Sequence, residues 1–415
     1  MKKTLSAIGL SISLIAIAAC QTQTTTPTQP LKLGSLFATT GDLSDGEDLT
    51  QVVNLAIETI NACGGVNEMS VGMAKADTKT DPNAGTEAIL RLIKEENVAG
   101  VVGASSSSVS EVTVDFAVRN QVMQISPSST SPVFTERAKA GEFEGYWART
   151  VPPDTYQAQA LAQLAIDRGF DRVATAVINN SYGVGFEQEF VKAFKTLGGT
   201  VVNEENPVRY NPNPDSLDQE ADNLFANNPE AVLGVIYEET GGLLLRSAYE
   251  KGLSDGVQIL LTDAAYAEAL INEIGKTEQG QSIVQGAIGT VPTASGEYAD
   301  EFYQKWKQET GKDEQAFLSH TWDAAVLMML AAELGDENTG TAIKENLRQV
   351  SNTPGIKISD PCEAMRQVRQ GEDINYQGAS GNIEFNEYGD TVGTYGVWEV
   401  GAEGELNLID EVTPR

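Results

Sequence analysis

Residues 101–112 read VVGASSSSVSEV: an apolar run, a glycine, then four consecutive serines. The run 98–104, VAGVVGA, has the length and composition of a fully buried strand. A buried hydroxyl has to be hydrogen-bonded, so a block of serines is poor core material. Capping the helix that follows needs one serine, not four. The surplus hydroxyls stand where a strand turns into a helix. The first N–H groups of a helix have no partner inside it and carry its positive end, so such a place suits an anion. The stretch therefore defines a β–α unit with a ligand expected at its tip.

The same unit recurs along the chain. LKLGSLFA (31–38) reads as a strand, 48–62 as a helix through Val52, Val53, Ala56, Ile57 and Ile60, and Gly64-Gly65 as its stop. A strand near 70–76, a helix near 83–95, the strand 98–104, a helix from about 108 and the strand 121–127 follow. The alternation restarts near 155: helices at 155–168, 184–197, 216–227 and 241–251, with strands at 172–179, 200–203, 230–237 and 257–263. This order predicts an α/β protein with two doubly wound parallel-sheet lobes. Beyond 287 come a strand at 287–292, helices at 297–310, 316–333 and 341–350, and strands GNIEF (381–385) and YGVWEV (395–400). These are too few strands for a third sheet, so they are expected to complete the first two.

Composition narrows the function. The chain has 415 residues, with Lys+Arg 28 against Asp+Glu 59 and a net charge of −31. Binding nucleic acid needs basic patches, so it is not expected. Lys2 and Lys3 precede an apolar segment, Leu5 to Ile17, and then Ala18-Ala19-Cys20. That is the pattern of a lipoprotein signal, with 1–19 removed and Cys20 lipidated. QTQTTTPTQP (21–30) reads as a flexible tether. The expectation is an exported protein in the periplasm or at the cell surface, held to the membrane by Cys20. Two cysteines remain, Cys63 and Cys362. An oxidising compartment makes a bridge between them plausible, with two separate thiols as the alternative. Their separation, and a single histidine, do not resemble a metal site.

Ligands of open α/β sheets sit off the carboxyl ends of strands. Strand 98–104 ends in Ser105 to Ser108, and strand 121–127 in Ser128, Ser129 and Thr130. Two hydroxyl loops suit a carboxylate. In the second lobe the strands end in Asn179 to Gly183, including Tyr182, in Tyr237-Glu238-Glu239, and in Asp263. Carboxylates there suit a cation. Anion acceptors facing an acid describe a zwitterion site, as an α-amino acid requires.

At these residues the chain resembles the substrate-binding proteins of branched-chain and neutral amino-acid ABC transporters, the leucine/isoleucine/valine-binding type, with a periplasmic-binding-protein type I fold. The likeness spans about 31–400 and rests on TGDLSDGEDL, INACGGVN, DTKTDP (77–82), VVGASSSS, ISPSSTSP (125–132), NNSYGVG (179–185), TWDAA (321–325) and GASGNIEFNEYGD (378–390) taken in order. It implies that Ser107 binds the ligand carboxylate, that the Ser128 backbone and Thr130 side chain share carboxylate and ammonium, that Tyr182 comes from the second lobe, and that Asp263, with Glu238 less surely aligned, meets the ammonium. It implies a three-stranded hinge with crossings near Thr150, Thr290 and Gly389. Lobe 1 would be 31–150 plus 291–389, and lobe 2 151–290 plus 390–415. The loop TGDLSDGED (40–48) departs from the family: it offers Asp45, Gly46 and Glu47 where an aromatic contact stands, so it could admit larger, polar or basic side chains. The family's cysteine pair is also absent, with Thr80 and Ser106 near its places. A Cys63–Cys362 bridge would be a different one, within the first lobe. The implied function is capture of a branched-chain or neutral amino acid and its delivery by a monomer, without cofactor, to a membrane permease with an ATPase subunit. A ligand sensor, or a binder of urea or an amide, would share the same features.

An enzyme is not expected. GASSSS is not the Gly-x-Ser-x-Gly elbow, no catalytic residues are assigned, and no Walker loop occurs. His320, the lone histidine, lies in a helical apolar pattern and reads as a packing residue.

Overall fold

The computed structural model describes residues 29–43 and 45–413; the expected signal segment and Cys20 lie outside them. The chain begins with β1 (Lys32–Phe37), α1 (Gly46–Ala62), β2 (Gly72–Asp77), α2 (Pro82–Lys94), β3 (Gly100–Gly103), α3 (Ser107–Arg119), β4 (Met123–Ser126), α4 (Val133–Lys139) and β5 (Trp147–Arg149). It continues with α5 (Asp154–Asp167), β6 (Arg172–Ile178), α6 (Ser181–Thr196), β7 (Thr200–Val201), β8 (Val208–Tyr210), α7 (Asp218–Phe225), β9 (Ala231–Val235), α8 (Glu238–Glu250) and β10 (Gln258–Leu261). A short 3₁₀ turn (Asp263–Ala265), α9 (Glu268–Ile274) and β11 (Ile288–Pro292) follow. The last part holds α10 (Ala299–Thr310), α11 (Leu318–Leu334), α12 (Gly340–Ser351), β12 (Ile356–Ile358), α13 (Pro361–Arg369), β13 (Ile374–Tyr376), β14 (Tyr395–Val400) and β15 (Leu406–Val412).

Among the described residues the strands make two large sheets. The first has the order β2-β1-β3-β4-β5, all parallel. The second has the order β15-β14-β11-β10-β9-β6-β7, with β8 also on β6. It is parallel except at β14 and β15, which run antiparallel along one edge. A parallel pair, β12 with β13, stands apart. The strand expected in 98–104 is β3, GVVG, central in its sheet and wholly buried, as its unbroken apolar run requires.

Local chemistry sets the elements. Asp81 caps α2 by accepting from Ala84 N at 2.8 Å, with Pro82 in the first turn. Helix α11 is mostly apolar and buried on every side, as a helix enclosed by neighbours is. It packs on α1, α12, α13, β3 and β4, and so covers the first sheet. Each large side chain buried there contributes roughly 1.5–3 kcal/mol.

Between the sheets three segments run side by side. Arg149 N donates to Gly389 O at 2.9 Å, Thr391 Oγ1 to Thr150 O at 3.2 Å, and Thr293 N to Thr394 O at 3.1 Å. Cys63, at the end of α1, is bonded to Cys362 in α13, with Cα atoms 5.6 Å apart.

One expected strand is absent. GNIEF (381–385) forms no strand; Asn382 makes an isolated bridge with Gln377. Ile383 and Phe385 are buried, which explains the alternating pattern. The Phe385 backbone is instead met by the Asn352 side chain, which accepts from Phe385 N at 3.0 Å and donates to Phe385 O at 2.8 Å.

Candidate functional site: the cleft between the lobes

The carboxyl ends of both sheets open on one cleft of about 660 Å³. Ser105, Ser107 and Ser128 line it from the first lobe, and Tyr182, Tyr237 and Asp263 from the second.

The serines divide by role. Ser110, Ser126 and Ser129 tie the strand ends together: Ser126 Oγ donates to Ala104 O at 2.8 Å, Ser129 Oγ to the same oxygen at 3.0 Å and to Ser110 Oγ at 2.8 Å. Ser106 precedes α3 but its side chain makes no capping bond; it meets Ser108 Oγ at 2.9 Å and, across the cleft, Tyr237 OH at 3.2 Å. Ser107 Oγ accepts from Ser131 N at 3.3 Å. Ser105 Oγ is enclosed with no partner. Part of the serine block is thus scaffold, and Ser105 and Ser107 face the cleft at the N-terminus of α3.

Asn180 caps α6 through Gly183 N at 2.9 Å. A Cβ on Gly183 would lie 2.1 Å from Ile178 O, so glycine lets the helix start tight against β6. That fixes Tyr182, whose ring stacks on Tyr237 at 5.7 Å. Tyr182 OH donates to Asp263 Oδ1 at 2.7 Å and lies 2.7 Å from Thr262 Oγ1.

Asp263 has a companion that the sequence did not reveal. Asp154, the first residue of α5, is fully buried, and neither carboxylate oxygen has a hydrogen-bond partner. Burial, then the charge of Asp263, raises its pKa well above the ordinary carboxylate value; Thr130 and Arg149 oppose the shift. Burial likewise raises Asp263, against the Tyr182 hydrogen bond. An acid in the first turn of a helix reads as a dipole partner, so nothing local marked Asp154. Thr130 is fully buried and does not line the cleft; its Oγ1 has no hydrogen bond of ordinary geometry, and its carbonyl accepts from Asp154 N at 2.9 Å. Arg149 is held away from the cleft by Asp390 at 2.7 Å. Glu238 lines the cleft, whereas Glu239 is exposed.

The loop before α1 joins the lobes. Asp42 Oδ1 accepts from Glu239 N at 2.6 Å and Thr240 N at 3.4 Å, and Oδ2 from Thr240 Oγ1 at 2.9 Å. A first-lobe carboxylate therefore caps α8 of the second.

His320 is buried in α11, where burial lowers its pKa to about 4. It is not among the cleft residues.

With this geometry, the chain belongs to the family described as receptor family ligand binding region, whose profile matches residues 48–403. Its structural relatives are type I periplasmic binding proteins. The chain is 27% identical to the chemotactic signal transduction system substrate-binding protein BasB of Halobacterium salinarum, over 86% of this chain and 84% of BasB. The leucine binding protein LivK of Thermotoga maritima superposes with a TM-score of 0.77 at 24% identity, covering 92% of this chain and 99% of LivK. A solute binding protein of R. palustris in complex with benzoate superposes at 0.72 with 16% identity, covering 93% and 97%.

Proposed function

We propose that the protein captures an α-amino acid between its two lobes and delivers it to an ABC transporter permease driven by a separate ATPase. The lobes would be 31–150 plus 291–389 and 151–290 plus 390–415. The observation that carries this reading is that Ser105, Ser107 and Ser128 share one cleft with Asp263, to which the buried Asp154 is coupled by charge. The ligand carboxylate would take Ser107, the Ser128 backbone and the N-terminus of α3. The ammonium would lie against Asp263, Asp154 and Tyr182, with Thr130 behind. Two buried acids that repel each other are poorly ionised when the site is empty. An ammonium lets both ionise, which makes the closed form the better binder and closure the consequence of binding. No bond is made or broken in this scheme, so the protein acts as a carrier and not as an enzyme. Export as a monomer held by lipidated Cys20 completes the reading.

A second reading, a sensor that presents the same ligand to a receptor, is favoured by the similarity to BasB over most of both chains. Titration calorimetry of the refolded, ligand-stripped protein tests the shared core. Binding of α-amino acids but not of their des-amino analogues is expected; binding of an aromatic acid or an amide in their place overturns it.

A further inference from the structure

The cleft wall carries further acids that the proposed contacts to an α-amino and carboxylate group leave unused. Asp45, Asp48, Glu238, Asp313 and Glu314 line it. Among the described residues lining the cleft, the one lysine or arginine is Lys312, and it is bonded to Asp48. Burial, then Glu238 and Asp48, raises Asp45 to about 7, while burial and Asp263 raise Asp154.

Two further observations point to a ligand there. Asp45 stands at the N-terminus of α1, where a carboxylate ordinarily accepts a helix N–H, yet its side chain makes no capping bond. Among the described residues its Oδ1 is enclosed without a partner. Ser105, 5% exposed, presents an unpartnered Oγ to the same cleft. An apolar side chain laid along this wall would leave Asp45 Oδ1 enclosed and unpaired, the costly arrangement. A cationic N–H donor would satisfy it. A metal ion is a poor candidate: among the described residues no three His, Cys, Asp or Glu are placed to hold one.

Resting on the amino-acid reading above, we infer that the ligand carries a second positive group, as basic α-amino acids such as lysine, ornithine and arginine do, and that Asp45 receives it. The Lys312–Asp48 pair bounds the subsite and leaves Asp45 to the ligand.

The test is calorimetric titration of the ligand-stripped protein with L-lysine, L-norleucine, which has the same carbon chain without the cation, and L-leucine. Lysine is expected to bind at least tenfold more tightly than norleucine. Asp45→Asn is expected to weaken lysine by more than tenfold and norleucine much less. Norleucine or leucine binding as tightly as lysine overturns the inference and leaves the amino-acid reading standing. Silence toward all three, and toward the other amino acids, overturns both. An Asp45→Asn protein that keeps the full preference for lysine also overturns it, and the parent's ranking decides by itself if that variant does not fold.

Discussion

Asp263 on the cleft wall and the buried Asp154 feel each other's charge, and most of the site's chemistry follows from that. Replacing Asp263 by Asn should weaken amino-acid binding by about 2–5 kcal/mol, the range for a buried charge partner; calorimetry with unchanged affinity would refute its role toward the ammonium. Ser107→Ala should cost less, about 0.5–1.5 kcal/mol. The same pair predicts a pH dependence. Both pKa values are raised in the empty site, and a bound ammonium favours the ionised forms. Binding therefore releases protons, and affinity should fall as the pH drops from about 7 to about 5. Tyr182 and Tyr395 share this electrostatic surrounding, and burial raises both hydroxyls well above their ordinary value, so they stay protonated there. His320 stays neutral because burial lowers its pKa to about 4, so it cannot supply the effect. Calorimetry in buffers of different ionisation enthalpy would read the released protons directly, and a pH-independent affinity would contradict the coupling.

The element scale shows which signals a sequence carries. Serine loops at strand ends were legible, because hydroxyls beside an apolar run have no packing reason to be there. The long β–α units were legible through their periodicity. Helices α4 and α9 and strands β5, β12 and β13 were not: pieces of three to seven residues are too short to show a period. GNIEF misled because Ile383 and Phe385 alternate inward without a strand partner. Asp323 of TWDAA and the segment 378–380 read as separate motifs, yet they meet. Asp323 accepts from Ala379 N at 2.8 Å and Ser380 N at 2.7 Å, and a Cβ on Gly378 would lie 2.3 Å from its carboxylate. Asp42 was also silent, since its partners lie some two hundred residues away. As the cap of a helix in the other lobe it would part if the lobes swung open. Asp42→Ala should therefore weaken ligand binding by about 0.5–2 kcal/mol, the worth of a cap, while leaving the melting temperature of the empty protein nearly unchanged. An equal loss of both would make it an ordinary stabilising contact.

For the whole molecule, three adjacent crossing segments permit rotation of one lobe against the other. Small-angle scattering should show the ligand-stripped protein contracting when an amino acid is added; an unchanged radius of gyration would speak against closure. The Cys63–Cys362 bond spans 299 residues of sequence but joins elements of the first lobe. Replacing both by Ser should lower stability by roughly 2–5 kcal/mol, read by thermal unfolding, with ligand affinity preserved.

The position of α11 has a consequence for how the chain is made. β1 emerges early in synthesis, but the helix that shields its sheet is encoded near the end. A chain halted after β11 would hold a second sheet lacking only its edge hairpin, β14 with β15. Its first sheet would still show water the face that α11 covers. The sheet begun first is thus covered only after all but that hairpin of the second has been made. Until residue 334 has been added, the nascent chain offers a sticky apolar surface that a holding chaperone would recognise.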